Sequence, residues 1–206
     1  MDTLNDTFSD MSLKTNVIQL TKDSWISITE NAVSYTKEDL EDLFSRVPTV
    51  HAEVMMGGKS IPIPRFQKLY GSNTYSFSGK TFIPDPDVPE LVKKCIAVAQ
   101  KESPKFIWNT SLVNWYLNGS HYIGPHSDDE KSLDPGSSIY SFSFGASRIF
   151  RISGRNFAYK TDIETSNNQM IVMHGSMQKE FKHEIVKTKK FKGPRVSITL
   201  RSYITD

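Results

Sequence analysis

One short segment, GPHSDDEK (124–131), places a histidine two residues before a carboxylate, with turn-forming residues beside it. His126 and Asp128 can both reach a single metal ion from an extended or turning backbone. A second histidine from elsewhere would complete the two-histidine, one-carboxylate set that holds non-haem ferrous iron and leaves positions open for substrate and oxygen. On this segment alone a solvated acidic loop is the simpler interpretation, so the rest of the chain has to decide.

Two histidines compete for the third ligand position. His183 lies 57 residues after His126 (183 minus 126) and follows the strand-and-turn pattern MIVMHGSMQ, so the chain can return to the same place. His174 stands beside Gly175 in that turn and is the rival. We predict that His183 completes the set.

The segment PRVSITLRSY near the end of the chain carries two arginines at strand spacing. Two guanidiniums six residues apart, about 20 Å at ~3.3 Å per residue, could reach opposite ends of a small dicarboxylate. An edge strand with a charged face toward solvent is the alternative. Because alternate strand residues point to opposite faces, one face carries Arg195, Ser197, Thr199, Arg201 and Tyr203. The other face carries Val196, Ile198, Leu200 and Ile204.

The first half of the chain predicts one short strand and two helices. We expect a flexible start and a strand within 17–28. Thr36 and Asp39 resemble a capping box ahead of a helical apolar stripe that Pro48 ends. A second stripe over 88–99 predicts another helix, whose Cys95 we expect in the core.

The second half changes to short alternating runs separated by Gly, Asn, Pro and Ser, which is typical of antiparallel strands. We therefore predict an α+β, mainly β fold in which helices cover one side of a two-sheet sandwich, with a jelly roll as the member of that class that carries metals. A chain of 206 residues fits one domain. We expect an intracellular monomer, in nucleus or cytoplasm, because no segment resembles a membrane span or a signal and the single cysteine excludes an internal disulfide.

These motifs together resemble the AlkB family of iron(II) and 2-oxoglutarate dependent dioxygenases, which demethylate nucleic-acid bases. The likeness covers about residues 60–204. It includes the His-x-Asp pair, the second histidine and the Arg-x-Ser-x-Thr-x-Arg strand, together with NWYLNGSHYIGPHSDDE, SFSFGASRIFRI and MHGSMQKEFKH. The family commonly has asparagine where this chain has Ser197, which implies a shorter-reaching hydrogen bond beside the cosubstrate.

The resemblance implies a double-stranded β-helix core, with an N-terminal arm and helix over 1–48, the dioxygenase domain over 49–206 and a nucleotide-recognition lid over about 60–82. It implies Fe(II) held by His126, Asp128 and His183 as the catalytic ligands. The cosubstrates are then 2-oxoglutarate and O2. The residues it places around 2-oxoglutarate are Asn114, Tyr116, Arg195, Ser197, Thr199 and Arg201.

The segment PRFQKLYGSNTYSFSGK mixes basic and aromatic residues among Gly and Ser, as a splayed nucleotide needs. A hairpin with aromatics packed on the sheet is the alternative. The resemblance makes this segment part of the lid, where Arg65 contributes a cation, Tyr75 lines the pocket or touches phosphate, and Phe77 stacks on the base. It makes Asp129 the acid that pairs with the exocyclic amino group.

The implied reaction is oxidative demethylation of 1-methyladenine or 3-methylcytosine type bases in DNA, and by extension in RNA. Its products are the repaired base, formaldehyde, succinate and CO2. Three alternatives stay open: an oxygenase acting on RNA only or on a protein, a binding module without turnover, and a metal-dependent hydrolase. The last leaves the arginine strand unexplained.

Overall fold

The computed structural model describes residues 14–77, 80–156, 158–190 and 192–204. These ranges contain fifteen strands and three helices, so the protein is mainly β. None of these helices is long and apolar enough to cross a membrane. The helices are α1 Lys37–Ser45, α2 Glu90–Glu102 and α3 Met177–Glu180.

Most of the chain forms strands. The first seven are β1 Thr15–Gln19, β2 Ser24–Glu30, β3 Glu53–Met56, β4 Lys59–Pro62, β5 Phe66–Gly71, β6 Tyr75–Phe77 and β7 Lys80–Phe82. The other eight are β8 Thr110–Tyr116, β9 Ile123–His126, β10 Ile139–Gly145, β11 Ile149–Gly154, β12 Lys160–Glu164, β13 Gln169–Gly175, β14 Phe181–Ile185 and β15 Arg195–Arg201.

Two antiparallel sheets make the sandwich. The larger one has seven strands in the order β1-β2-β13-β10-β15-β8-β5, and the smaller one has four in the order β12-β11-β14-β9. Apolar side chains of both sheets form a core cluster that includes Ile26, Ile152 and Met173. In both sheets, neighbouring strands are often distant in the sequence. This two-sheet arrangement confirms the predicted jelly-roll core.

A second core lies on the other face of the larger sheet. There α1 and α2 pack against Trp115 and against every second residue of β15 from Val196 to Leu200. The Trp115 indole N–H donates to the carbonyl of Leu43 at 3.1 Å and so ties α1 to the sheet. Because alternate strand residues point to opposite faces, the apolar residues on this side direct Arg195 and Arg201 into the sandwich.

Both predicted helices are present where their patterns indicate. Thr36 caps α1 through its hydroxyl, which accepts from the backbone N–H of Asp39, and the Asp39 carboxylate accepts from the backbone N–H of Thr36. Cys95 on α2 is fully buried, as predicted. The four-residue α3 was not predicted, because it is too short to show an apolar period.

The N-terminal region differs from the prediction of a single strand. The segment folds as the hairpin β1–β2, and β2 pairs with β13 along its whole length. Residues 24–30 are therefore part of the larger sheet. The domain boundary after residue 48 stays a prediction, and the predicted flexible start falls largely on residues 1–13, outside the described residues.

The segment predicted as a lid is not one unit. Its middle part, β5, pairs with β8 as the edge strand of the larger sheet. Lys68 forms an ion pair with Asp85 at 2.6 Å, and Tyr70 is fully buried. The hairpins β3–β4 and β6–β7 flank β5. The basic and aromatic residues of 66–71 thus serve the sheet, which corrects their assignment to a nucleotide-binding loop.

Replacing Thr36 with alanine should destabilise the protein by about 1 kcal/mol, because the helix loses its N-cap acceptor. The Thr36→Ser variant keeps a hydroxyl and is expected to stay within a few tenths of a kcal/mol of the unmodified protein. Urea unfolding of the three proteins measures both differences. Equal stability of the alanine and serine variants would contradict the capping role.

Candidate active site

The small sheet brings the two predicted histidine ligands together. Strands β9 and β14 are antiparallel, and His126 stands directly opposite His183 in their register. The two imidazole centroids are 4.2 Å apart. Asp128 lies two residues beyond the end of β9 and is 2% exposed.

The three side chains form a group that could hold one metal ion. Nε2 of His126 lies 3.9 Å from Oδ1 of Asp128, and Nε2 of His183 lies 3.8 Å from Oδ2. All three ligand atoms fall within 4.8 Å of one another. Within the described residues, these are the three His, Cys, Asp or Glu side chains whose ligand atoms lie this close together.

The protonation states in this group suit a metal. Burial alone would raise the pKa of Asp128, but the charge and hydrogen bond of Arg201 act against it, and that pKa lies well below its usual range. Burial lowers the pKa of His183 to about 3 and also lowers that of His126. An ionised carboxylate and neutral imidazoles are the forms that bind a divalent ion.

Hydrogen bonding also orients the ligands for a metal. Nδ1 of His126 lies 2.9 Å from the carbonyl of Gly124 and donates to it, so Nε2 carries the lone pair that faces Asp128. Oδ2 of Asp128 is buried and has no hydrogen-bond partner within the described ranges. Such an atom is costly to leave without a partner, so this donor set fits a metal ion.

The rival histidine is held elsewhere. Nε2 of His174 hydrogen bonds with the hydroxyl of Ser27 and Nδ1 with that of Ser138, both at 2.9 Å. Its ring stacks on Trp25 with centroids 5.3 Å apart. Both nitrogens are therefore engaged away from the His126 and Asp128 group, so of the two rivals His183 is the one at the site.

The predicted 2-oxoglutarate residues line one pocket beside this group. Arg195, Ser197, Thr199 and Arg201 come from β15, and Asn114 and Tyr116 come from the neighbouring β8. The two strands are in register, with Ser197 opposite Asn114 and Arg195 opposite Tyr116. The face predicted from alternation is the face that the pocket shows.

Arg195 is a buried cation at the inner end of this pocket. It is 1% exposed, donates to the Ser143 hydroxyl at 2.8 Å and lies with its guanidinium 5.1 Å from the centre of the Tyr116 ring. Burial lowers the pKa of Arg195 to about 10. No acidic side chain within the described ranges pairs with it. A buried guanidinium in this situation suits an anionic ligand such as a carboxylate.

Arg201 joins the two halves of the site. Its Nη2 donates to Oδ1 of Asp128 at 2.7 Å, and both side chains are almost fully buried. The arginine expected near the iron-chelating end of 2-oxoglutarate therefore contacts the carboxylate ligand. This contact holds the larger sheet against the loop that follows β9.

Arg65 is buried and lines the cavities beside His126. It is only 6% exposed, and it donates from Nε to Oδ1 of Asn114 at 2.7 Å and from Nη2 to Oε1 of Gln67 at 3.1 Å. Arg65 thus contacts a predicted 2-oxoglutarate residue, and its predicted contact with the substrate stays a prediction. Sequence composition could not distinguish a buried arginine from an exposed one.

Asp129 is not among the residues that line the pocket or the cleft, and its predicted contact with the base stays a prediction. Its carboxylate is exposed and pairs with Arg155 at 3.1 Å. The backbone of Tyr75 and Phe77 belongs to β6. The side chains of both residues lie outside what the structure describes, so their predicted contacts stay predictions.

An apolar cleft that the sequence analysis missed opens on the other side of His126. Lys187 stands at its edge with the ammonium 4.3 Å from the centre of the Tyr122 ring. The run VKTKKFK was the signal that could have indicated a basic rim here. The cleft is lined by Val54, Ile61, Pro62, Ile63, Pro64, Arg65, Tyr122, Ile123, Gly124, Pro125, His126 and Lys187.

Comparison with known proteins agrees with this geometry. The model of the 2OG-Fe(II) oxygenase superfamily matches residues 27–201. The DNA oxidative demethylase ALKBH2 of Mus musculus is 34% identical over 163 residues, which are 74% of this chain and 67% of that protein. The alpha-ketoglutarate-dependent dioxygenase alkB homolog 3 of Mus musculus is 28% identical over 177 residues, covering 81% of this chain and 61% of that protein. The chain thus spans between about three fifths and two thirds of these relatives.

A solved structure of OsALKBH1 shares the fold, with a TM-score of 0.61 at 16% identity, over 91% of this chain and 100% of that one. A β sandwich with a His-x-Asp and His group at its mouth and a buried arginine behind it defines the class of iron and 2-oxoglutarate oxygenases. The chain belongs to the AlkB family within that superfamily. The family implies Fe(II), 2-oxoglutarate and O2, in agreement with the prediction from sequence.

The third-ligand assignment can be tested with matched histidine variants. His183→Ala should weaken Fe(II) or Co(II) binding by more than the roughly 10–100-fold that loss of an outer partner costs. His174→Ala also removes an imidazole, but one that lies outside the proposed metal site, so it should leave metal affinity unchanged. Titration of metal into each purified variant measures both. Loss of binding in the His174 variant alone would reverse the assignment.

Arg195→Met should weaken 2-oxoglutarate binding about ten- to a hundredfold, because a charge-assisted hydrogen bond contributes about 1.5–3 kcal/mol. Without ligand, the thermal midpoint should stay level or rise, since a buried cation is removed. Titration of 2-oxoglutarate into the Mn(II)-loaded protein measures the affinity. Arg151→Met, at a more exposed arginine paired with Asp162, is the control. Equal affinities in the two variants would refute the role of Arg195.

Proposed function

We propose that this protein oxidatively demethylates N-alkylated bases of the 1-methyladenine and 3-methylcytosine type in nucleic acid. The products are the repaired base, formaldehyde, succinate and CO2. The observation that carries the proposal is the His126, Asp128 and His183 group beside a pocket that ends at a buried arginine. The relatives named as DNA oxidative demethylases support alkylated DNA as the substrate class.

We assign the cofactor roles by the positions of the side chains. His126, Asp128 and His183 hold Fe(II). Arg195 binds the distal carboxylate of 2-oxoglutarate, and Arg201 lies at the end nearer the metal. The remaining cosubstrate residues are Asn114, Tyr116, Ser197 and Thr199, which line the same pocket.

The chemistry divides between cofactor and protein. Bound iron with 2-oxoglutarate and O2 supplies the oxidant that hydroxylates the N-methyl group. The hydroxymethyl product then releases formaldehyde. The protein's side chains hold the cosubstrate in one orientation through Arg195, and they shield the metal side of the pocket, since Asp128 and His183 are both buried. The burial keeps water from competing at the reacting centre.

The substrate side is the cleft next to His126. Apolar and aromatic residues line it, and Lys187 gives its rim a positive charge. Rings and apolar surface suit a nucleobase, and a lysine suits its phosphate. Because the methylated edge of the base is its pairing edge, the base has to leave a duplex, at a cost of a few kcal/mol, or come from a single strand.

The alternatives are an oxygenase acting on RNA only and one acting on a protein. Matched DNA and RNA oligonucleotides that carry 1-methyladenine or 3-methylcytosine, each single- and double-stranded, are incubated with the protein. Activity on the DNA substrates excludes an oxygenase that acts on RNA only. Formaldehyde and succinate in equal amounts from DNA are the expected result. Succinate release that no methylated oligonucleotide stimulates would refute nucleic acid as the substrate. Monomeric state and an intracellular location stay predictions.

Phe77→Ala tests the proposed lid. If Phe77 stacks on the extruded base, the variant loses ~1–3 kcal/mol per base, which weakens oligonucleotide demethylation by one or two powers of ten. Decarboxylation of 2-oxoglutarate without substrate should continue at the original rate, since the ring is not proposed to touch iron or cosubstrate. Equal loss of both activities, or a large fall in thermal midpoint, would instead indicate a core role for Phe77.

A further inference from the structure

The three proposed iron ligands are not held by the same means. His126 and His183 sit opposite each other in a β ladder, which fixes both backbones. Asp128 lies beyond the last residue of β9, so no strand pairing fixes it. A carboxylate ligand in a loop needs other contacts to keep its oxygens near the two imidazoles.

The short helix α3 and the first residue of β14 supply such contacts. The backbone N–H of Asp128 donates to Oε1 of Gln178 at 2.9 Å. The hydroxyl of the preceding Ser127 donates to the carbonyl of Phe181, also at 2.9 Å. The amide nitrogen of Gln178 lies 3.4 Å from the sulfur of Met173, which orients the side chain with its oxygen toward Asp128.

Two further contacts anchor α3 and the loop. Arg155 donates to the carbonyl of Gln178 at 2.9 Å and to the carboxylate of Asp129 at 3.1 Å, so it spans both segments. On the other side, the carboxylate of Glu180 accepts from Thr21 at 2.6 Å and from Ser24 at 2.8 Å. The helix is thus fixed to the larger sheet, and the loop is fixed to the helix.

We propose that Gln178 is a positioning residue for the iron carboxylate. Its side-chain oxygen accepts from the peptide N–H of Asp128 and fixes the loop backbone there, while Arg201 holds the carboxylate itself. The assignment rests on the proposed function, because it takes Asp128 to be an iron ligand. Gln178 contacts neither of the histidine ligands in the described hydrogen bonds, so its effect acts through the loop backbone.

Three substitutions separate the hydrogen bond from the bulk of the side chain. Gln178→Met keeps the length and removes the oxygen. Gln178→Asn keeps the amide but shortens the side chain by one carbon. It tests the same hydrogen bond if the methionine variant fails to fold. Gln178→Glu keeps both the length and an acceptor oxygen. Gln100→Met, on the exposed face of α2, is the control for the Gln to Met change.

Metal affinity is the measurement, with Co(II) as the probe, followed by its absorption and by titration calorimetry on the full chain. We expect Gln178→Met and Gln178→Asn to bind Co(II) about tenfold or more weakly. Gln178→Glu and Gln100→Met should stay within a few-fold of the unmodified protein. The KM for 2-oxoglutarate at saturating iron should change less than the metal affinity, a split that a general loss of folding would not produce.

Two results would overturn the proposal. One is unchanged Co(II) affinity in both the methionine and asparagine variants. The other is an equal loss in all three variants of Gln178, which would show that the acceptor oxygen is not what matters. Failure of the unmodified protein to bind Co(II) would instead refute the iron site of the proposed function, so the two failures are distinguishable.

Discussion

The buried ion pair between Asp128 and Arg201 is the interaction on which the site depends. It links the loop after β9 in the small sheet to the last residue of β15 in the larger sheet. Removing one partner of such a pair leaves an uncompensated buried charge, which costs about 3–5 kcal/mol. The pair itself need not stabilise the fold, since both charges lose their water, but it fixes the separation of the two sheets where the metal and cosubstrate pockets meet.

The other buried arginine of β15 shows the opposite arrangement. Arg195 meets a hydroxyl and the face of an aromatic ring, and no carboxylate of the described residues pairs with it. A fold that needed only stability would place an apolar side chain there. The strand therefore carries one cation that a carboxylate of the protein balances and, six residues away, one that no carboxylate of the described residues balances. That asymmetry gives the pocket a direction, because the Arg201 end is bonded to Asp128 and the Arg195 end is bonded only to a hydroxyl.

Sequence reasoning succeeded where local periodicity controls structure. The alternation in β15 and β8 placed Arg195 and Asn114 on the pocket face because strand geometry leaves only two choices. It was less successful for side chains whose partners are distant in sequence. The hydrogen bond of Arg65 to Asn114, 49 residues later, was not predicted, because nothing near Arg65 in the sequence indicates that contact. The ion pair of Asp129 with Arg155 was likewise not predicted, because Arg155 lies 26 residues later in the sequence.

The contacts around α3 extend this limit to the metal site itself. The sequence shows which three residues can bind iron, but the position of Asp128 also depends on a helix of one turn and on the N-terminal hairpin that holds it. Ser176 donates its backbone N–H to the carbonyl of Asp23, beside the hydroxyl contacts to Glu180. The N-terminal hairpin β1–β2 therefore contacts Asp128 indirectly, through α3 and its Gln178 side chain. The first strands of the larger sheet therefore support the active site as well as extending the core.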